Sequence, residues 1–230
     1  MLSREEYLAA WSRWHGGTGT ESGLVRGWLS LAYALARPLA GLPPAVATAL
    51  GLVVAAAAIV PAAAGGAWLV AAGLLIGLSG LVDSLDGALA IGTGRASQRG
   101  FVLDSVVDRL TEVAYAAALW VAGAPGWVAV AFGALCWLPD YLRARAGQAG
   151  VDRTGPISVW ERPTRVAMAG MTLGGAGVVS GLGWADAVVT TGAGLGALLG
   201  LVGTLQLGWW LRGVLDGPAV PGGAGGAPGS

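Results

Sequence analysis

Long apolar stretches alternate with short polar segments along most of the chain. The stretch 24–39 is apolar but short; it carries two arginines and includes Pro38 near its end, which is typical of a helix lying along a membrane surface. Stretches long enough to cross a bilayer, about 20 residues each, occur at 45–62, 67–90, 100–122, 127–143, 164–182 and 187–211. The pattern predicts an all-α integral membrane protein with six transmembrane helices and an N-terminal interfacial helix.

The two ends of the chain differ from this apolar region. Residues 1–23 are polar and contain no apolar core of a secretory signal, so they predict a cytoplasmic N-terminal arm. Residues 24–212 form the predicted six-helix membrane domain with its juxtamembrane helix, and this domain carries every candidate catalytic residue. Residues 213–230 are rich in Gly, Pro and Ala and predict a disordered C-terminal tail.

Composition and charge support a membrane location and set its orientation. The chain is 55% hydrophobic and 11% charged, with a mean hydropathy of +0.67, which is too apolar for an ordinary soluble domain. All 13 basic residues are arginines. They fall before the first span, around the turn between the second and third spans, around the loop between the fourth and fifth spans, or after the last span. The positive-inside rule then predicts a multi-pass protein of the cell membrane with both termini in the cytoplasm. The net charge of zero predicts no nucleic-acid partner.

Four aspartates interrupt the second and third apolar stretches at helical spacing. One helix face carries, at i, i+3, i+4 and i+7, Asp83, Asp86, Gly87 and Ala90. The next helix carries, at i, i+4 and i+8, Gly100, Asp104 and Asp108. A polar loop, 92–99, lets the two faces meet, and four adjacent carboxylates cannot all stay ionised without cations between them. The pattern predicts two Mg²⁺ or Mn²⁺ ions, which suit phosphoryl chemistry.

Three classes of protein use carboxylates in this way. A purely structural role is disfavoured, because four intramembrane carboxylates are costly to retain. A cation or proton transporter would hold them near mid-membrane on broken helices, whereas here they cluster toward one face. A membrane prenyltransferase also uses two aspartate-rich helices, but with copies far apart in sequence. A lipid phosphotransferase is the third class, and the residues alone leave all three open.

The aspartate spacing resembles the signature of the CDP-alcohol phosphatidyltransferases, D-x2-D-G-x2-A-R-x8-G-x3-D-x3-D. This chain agrees at every position except the arginine, where Ile91 stands. The resemblance implies a six-helix fold, usually homodimeric, with a polar cavity open to the cytoplasm. It also implies transfer of a phosphatidyl group from CDP-diacylglycerol, or a similar CDP-lipid, to a small alcohol acceptor with release of CMP.

The same resemblance assigns roles to individual residues. The implied metal ligands are Asp83, Asp86, Asp104 and Asp108, and Asp108 is also the implied catalytic base. The implied nucleotide-binding residues are Gly87, Ala90, Arg95, Ser97, Arg99 and Gly100. The signature arginine is expected to hold the CDP part, and Ile91 supplies neither a charge nor a donor. Either Arg95 or Arg99 replaces it, or the substrate is held differently, or activity is weak.

A second resemblance covers the segment around the loop between the fourth and fifth predicted spans. Asp140-Tyr-Leu-Arg143-Ala-Arg145, followed by Glu161-Arg162-Pro-Thr-Arg165, is similar to bacterial phosphatidylinositol-phosphate synthases. It implies that the four arginines bind the acceptor's phosphate, for which a planar guanidinium is suited. The acceptor is then inositol phosphate or another phosphorylated polyol, with glycerol phosphate or phosphatidylglycerol next. The alternative is that these arginines only reflect topology and anionic lipid.

Overall fold

A computed structural model describes residues 1–14, 23–151 and 155–216 of the 230-residue chain. Within those ranges the structure is helical and contains no strand, so the predicted all-α fold is confirmed there. The α-helices are, in chain order, α1 (Arg4–Trp14), α2 (Gly23–Ala36), α3 (Pro44–Ala57), α4 (Ile59–Ala64), α5 (Trp68–Gly92), α6 (Gln98–Val121), α7 (Gly126–Gln148), α8 (Arg162–Val178) and α9 (Ala185–Leu215). Short 3₁₀ turns lie at Arg37–Leu39 and Ser180–Leu182.

The helices coincide with the six predicted spans, with α3 and α4 together covering the first. Three of the described helical segments are long and apolar enough to cross a membrane, namely Pro44–Ala64, Trp68–Gly92 and Ala185–Leu215. They indicate a membrane protein. Helices α6, α7 and α8 carry the charged side chains described below, which lower their hydropathy, so the full count of six crossings stays a prediction.

Helix α5 is the centre of the bundle and packs against α3 and α8. Helix α6 lies against α3 and α7, while α9 lies against α7 and α8. The approach of α5 to α8 depends on glycine, because a Cβ at Gly73 would lie 2.5 Å from the carbonyl oxygen of Gly170. This close packing brings the C-terminal end of α5 beside the N-terminal end of α8, where the polar side chains are.

The segment that precedes α8 is anchored by Trp160, whose side chain is fully buried. Its ring meets Phe132 edge-on, with centroids 5.5 Å apart. A Cβ at Gly200 of α9 would lie 3.1 Å from its indole nitrogen. The bulky ring fits because the face of α9 toward it carries glycines, at 196, 200 and 203. Trp160 thereby fixes the start of α8 relative to α7 and α9.

The N-terminal arm is more ordered than its polar composition suggested. Residues 4–14 form α1, and Tyr7 and Leu8 are buried in an apolar cluster shared with α2 and the end of α5. The backbone N–H of Leu2 donates to the carbonyl of Gly92 at 2.7 Å. The arm therefore docks on the end of α5; its residues 15–22 lie outside the described ranges.

Two further sequence predictions concern α2 and the C-terminus. A helix is present where the juxtamembrane helix was predicted, and its exposed face carries Trp28, Leu31 and Leu35 at i, i+3 and i+7. Its interfacial position stays a prediction. Helix α9 continues to Leu215, so the first residues of the predicted tail are helical, and 217–230 lie outside the described residues.

Candidate active site

Four aspartates from two helices meet at one end of the bundle. Helix α5 contributes Asp83 and Asp86, and α6 contributes Asp104 and Asp108. Carboxylate oxygens of Asp83, Asp104 and Asp108 all lie within 4.8 Å of one another. Asp86 is buried beside them and accepts a hydrogen bond of 2.6 Å from the hydroxyl of Thr48 on α3. The two helix faces meet, as the spacing predicted.

This cluster fits a divalent cation. The oxygen Oδ1 of Asp104 is buried and has no hydrogen-bond partner in the described part of the chain. A buried carboxylate oxygen without a partner carries a large desolvation penalty, which a bound cation removes. Carboxylate oxygens are the ligands that Mg²⁺ and Mn²⁺ prefer. The residues present therefore suit the predicted metal, although their role as ligands stays a prediction.

Arg162, the first residue of α8, reaches into the aspartate cluster. Its Nη2 donates to Oδ1 of Asp83 at 2.7 Å, and its Nη1 forms an ion pair with Oδ1 of Asp108. Asp83 and Arg162 are 79 residues apart in sequence, so the contact depends on the close packing of α5 and α8. One of the four predicted acceptor-binding arginines thus lies directly at the aspartates.

Two arginines and two acidic residues lie next to the aspartate cluster, between α6, α7 and α8. Arg109 pairs with Glu112 at 3.2 Å and with Asp140 at 2.9 Å. Arg165 pairs with the same two carboxylates, at 2.6 Å each. Glu112 and Arg165 are each only 1% exposed. We call this closed arrangement of Arg109, Glu112, Asp140 and Arg165 the charge ring.

The other predicted acceptor-binding arginines are engaged elsewhere. Arg165 is buried in the charge ring, and its Nε donates to the carbonyl of Trp160 at 3.0 Å, so the structure places it inside the protein and not on a surface open to an acceptor. Arg143 pairs with Glu161 at 2.7 Å. Burial alone would raise the pKa of Glu161, but hydrogen bonds from Arg143 and Ser158 hold that pKa below its ordinary value. Arg145 bonds to Gln148 at 2.5 Å.

The predicted nucleotide-binding residues surround the turn between α5 and α6. Gly87 is exposed, and a Cβ there would meet no described atom within 4 Å, which leaves space beside α5. The hydroxyl of Ser97 accepts a hydrogen bond from the backbone N–H of Gly100 at 3.1 Å and so caps α6. Arg95 donates to the carbonyl of Leu42 at 3.3 Å. The remaining two are half-buried Ala90 and exposed Arg99.

Ile91, which stands in place of the signature arginine, has an apolar environment. It is half-buried and packs against the cluster that contains Tyr7, Leu8 and Leu89. The side chain therefore contributes to the apolar cluster in which the N-terminal arm is buried. This packing explains why an apolar residue is accommodated at that position.

Sequence reasoning assigned no site role to Thr48, Arg109 or Glu112. A signal was present for each of them. Thr48 is the single polar side chain of α3, and Glu112 follows Asp108 by one further helical turn on the same face of α6. Arg109 gave the i, i+3 spacing to Glu112 as a signal, but its pairing with Asp140 on α7 could not be read from spacing.

Comparison with known proteins places the chain in one family. Residues 42–191, more than half of the chain, match the CDP-alcohol phosphatidyltransferase family. An archaetidylinositol phosphate synthase from Aeropyrum pernix is 39% identical over 116 residues, which cover 49% of this chain and 57% of that protein. The protein of the same name from Pyrococcus horikoshii is 35% identical over 99 residues, covering 42% and 52%. The matches span just over half the length of these curated relatives.

Solved structures show the same fold. The phosphatidylinositol phosphate synthase PgsA1 of Mycobacterium tuberculosis with CDP-DAG bound superposes with a TM-score of 0.65 at 26% identity, covering 82% of this chain and 98% of that one. The same enzyme in complex with manganese and citrate gives a TM-score of 0.66 at 26% identity, covering 84% and 96%.

Proposed function

The chain belongs to the CDP-alcohol phosphatidyltransferase family, and from this we propose that it transfers a phosphatidyl group, or a closely similar one, from a CDP-lipid to an alcohol in phospholipid biosynthesis. The observation that carries the proposal is the meeting of the signature aspartates of α5 and α6. The CDP-DAG and manganese held by PgsA1 support a CDP-lipid substrate and a divalent metal. Family membership favours this reaction over the transporter and the prenyltransferase.

The acceptor we propose is inositol phosphate or another phosphorylated polyol. Both curated relatives are named archaetidylinositol phosphate synthases, and PgsA1 is named a phosphatidylinositol phosphate synthase. The position of Arg162 beside Asp108 supports an anionic acceptor, because a guanidinium can hold phosphate oxygens next to the base.

In the proposed mechanism the four aspartates would hold two Mg²⁺ or Mn²⁺ ions. When bound, these ions offset the charge of the diphosphate and of the departing CMP. Asp108 accepts the proton of the acceptor hydroxyl. A bond forms between that oxygen and the phosphorus bearing the lipid, while the bond from this phosphorus to the CMP oxygen breaks. Gly87 leaves room for the nucleotide beside α5.

We further propose that the protein is a homodimer that crosses the cell membrane six times with both termini in the cytoplasm. The arginines on one set of loops support the orientation. The exposed apolar face of α2, with Trp28, Leu31 and Leu35, supports its position along the membrane surface.

The reaction is tested with purified protein, CDP-diacylglycerol and Mn²⁺, by following CMP release with a panel of acceptors. The panel contains inositol phosphate, unphosphorylated inositol, glycerol phosphate and phosphatidylglycerol. We expect CMP release to require an acceptor and to be fastest with inositol phosphate. CMP release at the same rate without any acceptor would show hydrolysis and contradict the proposal.

Replacing Arg162 by alanine is expected to raise the KM for the phosphorylated acceptor more than the KM for the CDP-lipid. A bidentate charge-assisted contact is worth about 1.5–3 kcal/mol, so the acceptor KM should rise about tenfold to a hundredfold. Steady-state CMP release at varied acceptor and CDP-lipid concentrations measures both constants. Arg145→Ala, which removes an exposed arginine bonded to Gln148, is the control. An equal loss with unphosphorylated inositol would count against a phosphate contact.

Ile91→Arg is expected to destabilise the protein and not to lower the KM for the CDP-lipid. The larger, charged side chain would be forced against the cluster around Tyr7, and overpacking of this kind costs about 1–3 kcal/mol. Thermal unfolding in detergent and the CDP-lipid KM are measured together, with Arg95→Ala and Arg99→Ala in parallel. A lower KM at unchanged stability would show that residue 91 faces the nucleotide. A raised KM in either arginine variant would identify the replacement for the missing side chain.

A further inference from the structure

Arg109, a member of the charge ring, lies beside one of the candidate metal ligands. Arg109 follows Asp108 directly in sequence, and its Nη2 lies 3.5 Å from Oδ2 of that aspartate. Its contacts within the ring are shorter, 2.9 Å to Asp140 and 3.2 Å to Glu112. Arg109 donates a hydrogen bond to Asp140 and forms an ion pair with Glu112, while Asp108 is the carboxylate that lies farthest from it.

Within the ring two guanidinium groups face two carboxylates, and Arg143 adds a longer contact of 3.4 Å to Asp140 from outside it. Glu112 and Arg165 are buried, so neither can exchange its partner for water. Loss of one carboxylate would leave both guanidinium groups sharing the other. For Arg109 the next available carboxylate is Asp108, which it already touches.

From this geometry we infer that Glu112 and Asp140 are positioning residues. They hold Arg109 away from Oδ2 of Asp108, the oxygen that Arg162 does not contact, and so keep that oxygen available to a divalent cation. A guanidinium and a metal ion compete for the same carboxylate oxygens, because both are cations that bind through those lone pairs. The inference rests on the proposed metal site and adds to it a group of residues that do not touch the metal or the substrate.

The ring also couples the aspartates to α8. Arg165 is the ring member on α8, and its Nε is fixed by the carbonyl of Trp160 at 3.0 Å. Arg162 lies one helical turn before it on α8 and reaches Asp83 and Asp108. The ring that restrains Arg109 is thus joined through Arg165 to the helix from which Arg162 enters the aspartate cluster.

The test is the affinity of the purified protein in detergent for Mn²⁺ alone, measured by electron paramagnetic resonance, together with thermal unfolding. Glu112→Gln should weaken Mn²⁺ binding about tenfold, the lower end of what the loss of an outer interaction costs a metal site. The double variant Glu112→Gln with Arg109→Gln should regain most of the lost affinity, because the competing guanidinium is gone. Asp216→Asn, which removes a surface carboxylate paired with Arg212, is the matched control and should bind as the wild type does.

Recovery of Mn²⁺ affinity in the double variant would show that Glu112 acts by positioning Arg109. If Glu112 had only a structural role, the second substitution would weaken the protein and its Mn²⁺ binding further. Asp140 is 27% exposed, so Asp140→Asn serves as the second variant if Glu112→Gln does not fold, with the same loss expected. A folded Glu112→Gln protein with wild-type affinity, or a double variant as weak as the single one, would overturn the inference. Wild-type protein that binds Mn²⁺ but releases no CMP with any acceptor would instead contradict the proposed function and leave the inference standing.

Discussion

Asp104→Asn is expected to abolish Mn²⁺ binding and CMP release in a protein that still folds. Its Oδ1 is buried without a hydrogen-bond partner among the described residues. Replacing it therefore breaks no hydrogen bond of that oxygen on which the fold depends. Asparagine keeps the volume but removes the charge a cation needs. A bound metal contributes several kcal/mol to such reactions, and about 1.4 kcal/mol is a factor of ten, so turnover should fall by more than about a hundredfold.

The measurement combines Mn²⁺ titration, CMP release at saturating metal and thermal unfolding. Asp216→Asn again serves as control, because its carboxylate lies at the exposed end of α9 and pairs only with Arg212 among the described contacts. Chelation should stop the wild-type reaction, and Ca²⁺ should replace Mn²⁺ poorly because it prefers longer and less regular coordination. Near-normal turnover of Asp104→Asn at saturating Mn²⁺ would refute the metal assignment.

Arg165→Ala is expected to destabilise the folded protein strongly, and not merely to weaken acceptor binding. Its side chain is 1% exposed and holds Glu112, Asp140 and the carbonyl of Trp160. Removing one partner of a buried ion pair leaves an uncompensated charge, which costs about 3–5 kcal/mol. We therefore expect a large drop in the unfolding temperature in detergent and little soluble, monodisperse protein.

Arg145→Ala removes an arginine that the same sequence resemblance had grouped with Arg165, and it should leave stability close to wild type because its side chain is exposed. Size-exclusion profiles and thermal unfolding of the two variants provide the comparison. If Arg165→Ala were as stable as wild type and only its acceptor KM rose, the sequence-based role of Arg165 in acceptor binding would be right and the structural role wrong.

The helices and the candidate metal ligands could be predicted from the sequence because both depend on local periodicity. Residues 3 or 4 apart share a helix face whatever the rest of the chain does, so Asp83 and Asp86 had to project together, as did Asp104 and Asp108. The short loop 92–99 then left few ways to arrange the two helices. The family resemblance rested on this same local spacing and is confirmed.

Sequence reasoning was weaker where a polar composition concealed an apolar contact. Residues 1–23 were predicted as a polar arm, yet Tyr7 and Leu8 are buried against α2 and α5. Ile91 was recognised as a departure from the signature. Its place in the apolar cluster that also buries the arm could not be recognised, because the arm and the end of α5 are about 80 residues apart in sequence.

The sequence by itself determined where the helices from α2 onward lie, which faces carry carboxylates and to which family the chain belongs. Only the tertiary structure decided the partner of each charge: Arg162 with Asp83 and Asp108, Arg165 with Glu112 and Asp140, and Thr48 with Asp86. The physical reason is that an ion pair forms between side chains a few ångströms apart. Such distances between residues of different helices depend on how closely the backbones pack, as at Gly73 and Gly170, and not on their spacing along the chain.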